Sequence, residues 1–226
     1  MSGVIKLAVV AATGGVGRHL LSQSLAAGHD VTAVVRNPQR LTGSPARIVR
    51  CDLADPQPGV LEDALTGADA VVSALGAPTG ADAGIASRGT RALVDAMRAT
   101  GVRRLVAVSA ASVGTVPSPG RPNPPRHNPG DGIVMRHLIA PVAKKLFAPH
   151  YRDLAVMEDL LRDSDLAWTV SRPPRLLDRR LRPHYRTAVD RNVRGGLFIA
   201  RADVAAHMLA VLDDPATIHH TLSIAY

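Results

Sequence analysis

The stretch Ala11-Ala12-Thr13-Gly14-Gly15-Val16-Gly17 joins an apolar, β-branched run to an amphipathic one. In that setting glycines let the backbone approach a phosphate, whose charge meets unpaired N–H groups and the positive end of a helix dipole. Gly14 suits the close approach, and Gly17 lets the helix pack on the strand. Ala11 stands where the usual G-x-x-G-x-x-G spacing begins with glycine. Its methyl is tolerated there if φ stays negative. A purely structural turn is the alternative for these glycines.

The second chemical signal is Arg36, at the end of the next apolar run, with Arg40 four residues later. An acidic residue at this place would accept the ribose 2'-hydroxyl of NAD. A guanidinium instead grips a 2'-phosphate in a charge-assisted pair and gains little from a neutral hydroxyl. The pattern predicts NADP(H) as cofactor, with a solvated strand-end charge as the other reading of Arg36. Asp52, after a third strand-like run, can accept an adenine amino group or close an Asx-turn or helix N-cap.

These residues need a scaffold that brings strand ends together. Apolar runs predict strands at Val4–Val10, Val31–Val35, Arg47–Arg50, Ala70–Ala74, Arg103–Ser109 and Ala167–Ser171, with a closing strand near Thr221–Ala225. Helices are expected at Val16–Ala27, Ile85–Thr100, Tyr151–Asp163 and Asp203–Leu212. Strands alternating with helices in this way argue for right-handed βαβ units: an α/β fold, Rossmann-like, with a doubly wound parallel sheet. A length of 226 residues suits a single domain, 1–226. From Gly114 to Pro129 the chain turns rich in Pro, Gly, Asn and Ser, which reads as a long surface loop, either a substrate lid or disorder. Ile133–Phe147 follows as an apolar-basic segment interrupted by Pro141. It suits a solvated lid helix, a subunit contact or a membrane-surface contact. The lid insertion is therefore expected at about 114–150.

Composition narrows the partners. Apolar residues at 46% and charged residues at 20% exclude global disorder, and 3% aromatics leave few platforms on which single-stranded nucleic acid could stack. The net charge of +8 rests on 24 arginines and only three lysines, spread along the chain rather than gathered into a nucleic-acid tract. Eight arginines between Arg175 and Arg201, against Asp178 and Asp190, would favour an anionic substrate if they face the cleft, and otherwise form a solvated face. Cys51 is the single cysteine and reads as a small buried residue. The nine histidines show no metal-ligand spacing, and His219 and His220 would point to opposite faces of a strand. No apolar run approaches the ~20 residues of a membrane span, and Met1–Ala12 reads as a first strand rather than a leader. The partners expected are a small-molecule substrate, no nucleic acid, no membrane and no metal. The chain is expected to be a monomer or homodimer in the cytoplasm.

Thr13-Gly14-Gly15-Val16-Gly17-Arg18, Val34-Val35-Arg36-Asn37-Pro38, Cys51-Asp52-Leu53, Ala70-Val71-Val72-Ser73-Ala74-Leu75-Gly76, Gly89-Thr90-Arg91 and Val106-Ala107-Val108-Ser109 together resemble the atypical short-chain dehydrogenase/reductase group, NAD(P)H-binding and NmrA-like. The likeness leans toward its biliverdin-IXβ reductase and flavin reductase branch. It covers residues 4–113 and resumes over 150–225, including Arg172-Pro173-Pro174. The resemblance implies hydride transfer from NADPH to a flavin, tetrapyrrole or other flat conjugated acceptor. It assigns Thr13, Gly14, Gly15, Val16 and Gly17 to the diphosphate, Arg36 and Arg40 to the 2'-phosphate, and Asp52 and Leu53 to adenine. Ala74, Leu75 and Gly76 would line the ribose and nicotinamide ribose, with Ser109 and Pro173 beside the nicotinamide.

Two departures bear on catalysis. Tyr151 is followed four residues later by Ala155, so the Tyr-x-x-x-Lys pair is missing and no lysine lowers the tyrosine pKa. Arg175 stands where the biliverdin-type reductases carry a histidine; it can clamp an anion but cannot shuttle protons at neutral pH. Ser109, Tyr151 and Arg175 are the catalytic candidates. For Tyr151 the alternative is a packed amphipathic residue, and for Ser109 a strand-end hydroxyl satisfied by backbone. Two rival functions stay open: an NADP-binding redox regulator without turnover, and an isomerising, cyclising or dehydrating enzyme on the same scaffold.

Overall fold

The computed structural model describes residues 3–76, 83–132, 136–137, 142, 145–182 and 184–226. Its main sheet begins with β1 (Lys6–Val10), β2 (Asp30–Val35), β3 (Arg47–Arg50), β4 (Ala70–Ser73), β5 (Arg104–Val108) and β6 (Ala167–Arg172). Helices α1 (Gly17–Ala26), α2 (Val60–Leu65), α3 (Ile85–Thr100) and α4 (Ala148–Arg162) connect them. The chain ends with β7 (Arg175–Leu177), β8 (Arg186–Val189), β9 (Phe198–Ala200), α5 (Arg201–Ala210) and β10 (His220–Ala225).

The strand order is β3-β2-β1-β4-β5-β6-β10-β8, parallel throughout except where β8 runs antiparallel to β10. This is the doubly wound α/β arrangement expected from the alternation of strands and helices. Side chains alternate across each strand, so each strand feeds two cores. Leu7 and Val9 of β1 join α1 and α5 on one face, with Leu20, Val204 and Met208. Ala8 and Val10 join α2, α3 and α4 on the other, with Leu65, Leu93, Met97 and Leu161. Burial on both faces is why these strands read as nearly continuous apolar runs.

Helix α3 starts without a capping side chain of its own. Asp153 of α4, buried, supplies one: its carboxylate accepts from Ala86 N and Ser87 N, both at 3.0 Å. Two N–H groups with no partner inside the helix, and a positive helix end, are thus satisfied from a neighbouring helix.

The C-terminal part departs from the sequence reading. Strands β7, β8 and β9 and the short α2 carry no readable periodicity. Among the described residues β7 and β9 pair with each other in a small second sheet, and β8 pairs with β10 alone. The Pro-rich loop is tied down over its described part. Gly120 N donates to Asp159 of α4 at 2.9 Å, Arg121 donates to Gly114 O at 2.9 Å, and Asn128 Oδ1 accepts from Asn192 N at 2.6 Å. Residues 133–135, 138–141 and 143–144 of the expected lid helix, Pro141 included, lie outside the described residues. Among the described residues no helix is long and apolar enough to cross a membrane.

Candidate active site

A cavity of about 560 Å³ opens at the carboxyl ends of β1 to β5, where the strand order reverses between β1 and β4. The turn after β1 supplies Thr13, Gly14, Gly15 and Val16; the end of β2 supplies Arg36, with Arg40 from the 3₁₀ turn Pro38–Leu41. Asp52 and Leu53 come from the end of β3, Ala74, Leu75 and Gly76 from β4, and Ser109 from β5. These are the residues that the sequence singled out. Four others are not in the wall.

Gly17 lies beneath the turn. A Cβ there would sit 2.1 Å from Ala11 O, so only glycine lets α1 start this close to β1. The turn itself corrects one expectation: Ala11 has φ +58°, in the left-handed region, rather than a negative φ. The conformation is held because Ala11 N donates to Val34 O at 3.0 Å and Ala11 O accepts from Gly14 N at 2.9 Å. An alanine in this region carries strain that glycine would not.

Tyr151 is not itself in the wall: it packs behind His150 and Leu154, with Val113 and Val116, and is hydrogen-bonded to Ser112. Burial pushes its phenol up, away from easy ionisation. The packed reading of Tyr151 therefore describes its place. Arg175 is exposed: Leu176 of the same strand faces the cavity, and alternation turns Arg175 away. Pro173 is buried behind the wall, where its carbonyl accepts from Ala111 N at 3.0 Å.

Ser109 is anchored from behind by side chains. It donates to Glu158 Oε1 at 2.7 Å, which uses its only proton. The oxygen therefore has only lone pairs left to offer the cavity. Glu158, 1% exposed, is in turn gripped by Arg172 at both oxygens, with Arg172 Nε donating to Oε1 at 2.8 Å. Arg162 also donates to Oε2, at 2.9 Å, and pairs with Asp159 at 2.6 Å. Two carboxylates and two guanidinium groups pair directly here, which offsets the cost of burying such charges, and the Arg121 guanidinium stands near enough to feel all four. Asp52 closes an Asx-turn on Ala54 N at 3.1 Å, and its exposed side chain lines the cavity.

Sequence reasoning missed His150, Leu154, Leu176 and Arg201, all in the wall. His150 sits on the first turn of α4 and its buried Nδ1 has no partner. Burial lowers its pKa, opposed by Asp153, so the ring is neutral near pH 7. Arg201, the first residue of α5, reaches over the glycine turn from the far end of the chain. No local spacing marks either residue, because tertiary packing alone brings them to the turn. Cys51 also borders the cavity; burial and then Asp52 push its thiol up, which fits a small packing residue.

A glycine turn at a helix start, cations at the end of β2 and a cavity at the switch point define a Rossmann-type NAD(P)H-binding protein. The chain belongs to the NAD(P)H-binding family, whose profile matches residues 11–215. It is similar to a Streptococcus pneumoniae protein provisionally named an NADH-flavin reductase, 26% identical, covering 98% of this chain and 99% of that one with a TM-score of 0.71. ChuY, an anaerobillin reductase from Escherichia coli O157:H7, is 24% identical over 97% of this chain and 96% of that one, with a TM-score of 0.75. A short-chain dehydrogenase/reductase from Veillonella parvula, solved in complex with NADP, shares 16% identity and a TM-score of 0.75 over 99% of this chain and 95% of that one. The last two likenesses are of fold.

Proposed function

We propose that the protein is an NADPH-dependent reductase that passes hydride to a small conjugated acceptor of the flavin, tetrapyrrole or quinone kind. The observation that carries this reading is the convergence on one cavity of the glycine turn and of Arg36 and Arg40, with no carboxylate at the end of β2. The name borne by the flavin reductase relative supports the acceptor class. When bound, NADPH would supply the hydride, and the donor set of the wall suits it.

In this reading the backbone of Thr13–Val16 meets the diphosphate and Arg36, with Arg40, meets the 2'-phosphate. Asp52 and Leu53 border the adenine, and Ala74, Leu75 and Gly76 the riboses. Ser109, its proton committed to Glu158, accepts a hydrogen bond from a carboxamide or acceptor N–H. The protein's own contribution is orientation in a partly dry cleft, so no strong acid is obligatory and water can supply the proton. Tyr151, packed behind His150 and Leu154, is assigned no step in this reading. The acceptor is a small molecule, and the lysine-free start of α4 argues against carbonyl reduction by a tyrosine–lysine pair.

The test is NADPH oxidation followed in the near ultraviolet with FMN, a quinone and a tetrapyrrole offered in turn. Turnover with one of them is the expected result; tight NADPH binding with none would favour a regulator instead. Arg36→Ala should raise the Kd for NADPH about 10- to 100-fold and spare NADH, as loss of a hydrogen bond to a charged group does. Equal losses for both nucleotides would overturn the NADPH assignment.

A further inference from the structure

Beside the glycine turn lies an ion cluster that the reading above does not use. Asp178, the residue after β7, holds Arg18 of α1 at 2.9 Å through one carboxylate oxygen and Arg201 of α5 at 3.0 Å through the other. The Arg201 side chain is only 26% exposed and lies on the turn itself, its Nε 2.7 Å from where a Gly15 Cβ would stand. Glycine at position 15 is what makes room for it. Arg201 also lines the cavity, whereas Arg18 and Asp178 do not. Burial and the Arg18 charge lower the pKa of nearby His19, which leaves the two arginines as the cations at this corner.

A carboxylate bound between two guanidinium groups, at the place where a diphosphate would bring its own negative charge, is an internal anion in competition with the ligand. Two anions cannot share Arg201 at full strength: like charges within a few ångströms repel, and each weakens the other's hold. We propose that Arg201 is a further cation for the cofactor, acting on the diphosphate that NADPH and NADH share, and that Asp178 competes with that diphosphate for it. The inference rests on the nucleotide reading of the cavity.

NADPH and NADH are titrated against the wild type, Arg201→Gln, Asp178→Asn and the double variant, with inorganic pyrophosphate as competitor. Arg201→Gln should raise both Kd values alike, by about tenfold or more, and blunt inhibition by pyrophosphate. Asp178→Asn should lower both Kd values, and the gain should vanish in the double variant, which marks the effect as acting through Arg201. A merely structural tie would lower the melting temperature of Asp178→Asn and leave its Kd unchanged or raised, and that result overturns the inference. Affinity unchanged in Arg201→Gln overturns it as well. Should Arg201→Gln fail to fold, Asp178→Asn decides alone, its side chain being 65% exposed. A wild type that binds neither nucleotide removes the reading beneath. One that binds both, with Kd unmoved in the variants, removes only this inference.

Discussion

The two parts of the sheet are held together in different ways. From β1 to β5 the interior is almost wholly aliphatic, and the buried polar groups, such as Ser24, His29, Ser73 and Thr90, include no carboxylate and no guanidinium. From α4 onward charge goes inside: Glu158 and Arg172 pair in the dark behind Ser109, and Asp203, fully buried, accepts from Arg182 N at 2.6 Å and from Tyr226 Oη. His207 is buried as well. The first part is a general nucleotide platform whose stability comes from apolar area. The second is a set of mutually dependent polar contacts that position particular side chains, Ser109 among them, at the cavity.

The contrast breaks most visibly at Glu158. Glu158→Ala strands the Arg172 guanidinium, and an equilibrium urea melt should lose about 3–5 kcal/mol. Replacing both Glu158 and Arg172 with methionine should restore much of that loss, since no uncompensated charge is left. A single substitution that costs under about 1 kcal/mol would contradict the ionic account of this part.

A smaller effect is expected from pH. Burial holds His207 down to about 4, well under the usual histidine value. The unfolded chain takes up that proton more readily than the folded one, so stability is complete above about pH 6.5 and is lost as pH falls toward 4. The loss should reach about 3 kcal/mol. Urea melts of wild type and His207→Phe between pH 7 and pH 4 check this; the variant should lack that part of the acid sensitivity.

At the platform, Gly17→Ala sets a methyl against the Ala11 carbonyl and should cost about 1–3 kcal/mol, with weaker nucleotide binding in the same titration. The smallest change runs the other way. Ala11→Gly relieves a positive φ and should stabilise by about 0.5–1 kcal/mol, measured by the shift in urea midpoint.

The same division explains what could be read in the chain before folding it. The strands β1 to β6 and helix α3 were legible within a residue or two, because burial on both faces leaves unbroken aliphatic runs and Gly101 marks a helix end. Thr13–Val16, Arg36, Arg40, Asp52 and Ser109 were legible because each lies at the end of such a strand. Tyr151, Pro173 and Arg175 were named from their neighbours along the chain, and the structure puts them behind or away from the wall. His150 and Arg201 had no local sign. Nor did β7, β8 and β9, which are short, polar and strand-like only beside their partners.

Residue order by itself determined the βαβ alternation, the glycine turn and the positive charge after β2, since each follows from contacts within a few residues: hydrophobic period, missing Cβ atoms, strand-end position. Only tertiary structure decided that Ala11 takes a left-handed φ, that Glu158 claims the Ser109 proton, and that Arg201 reaches a turn nearly two hundred residues earlier in the chain. These depend on which helices pack together across the sheet, a choice made by the burial of whole faces rather than by any one stretch of chain.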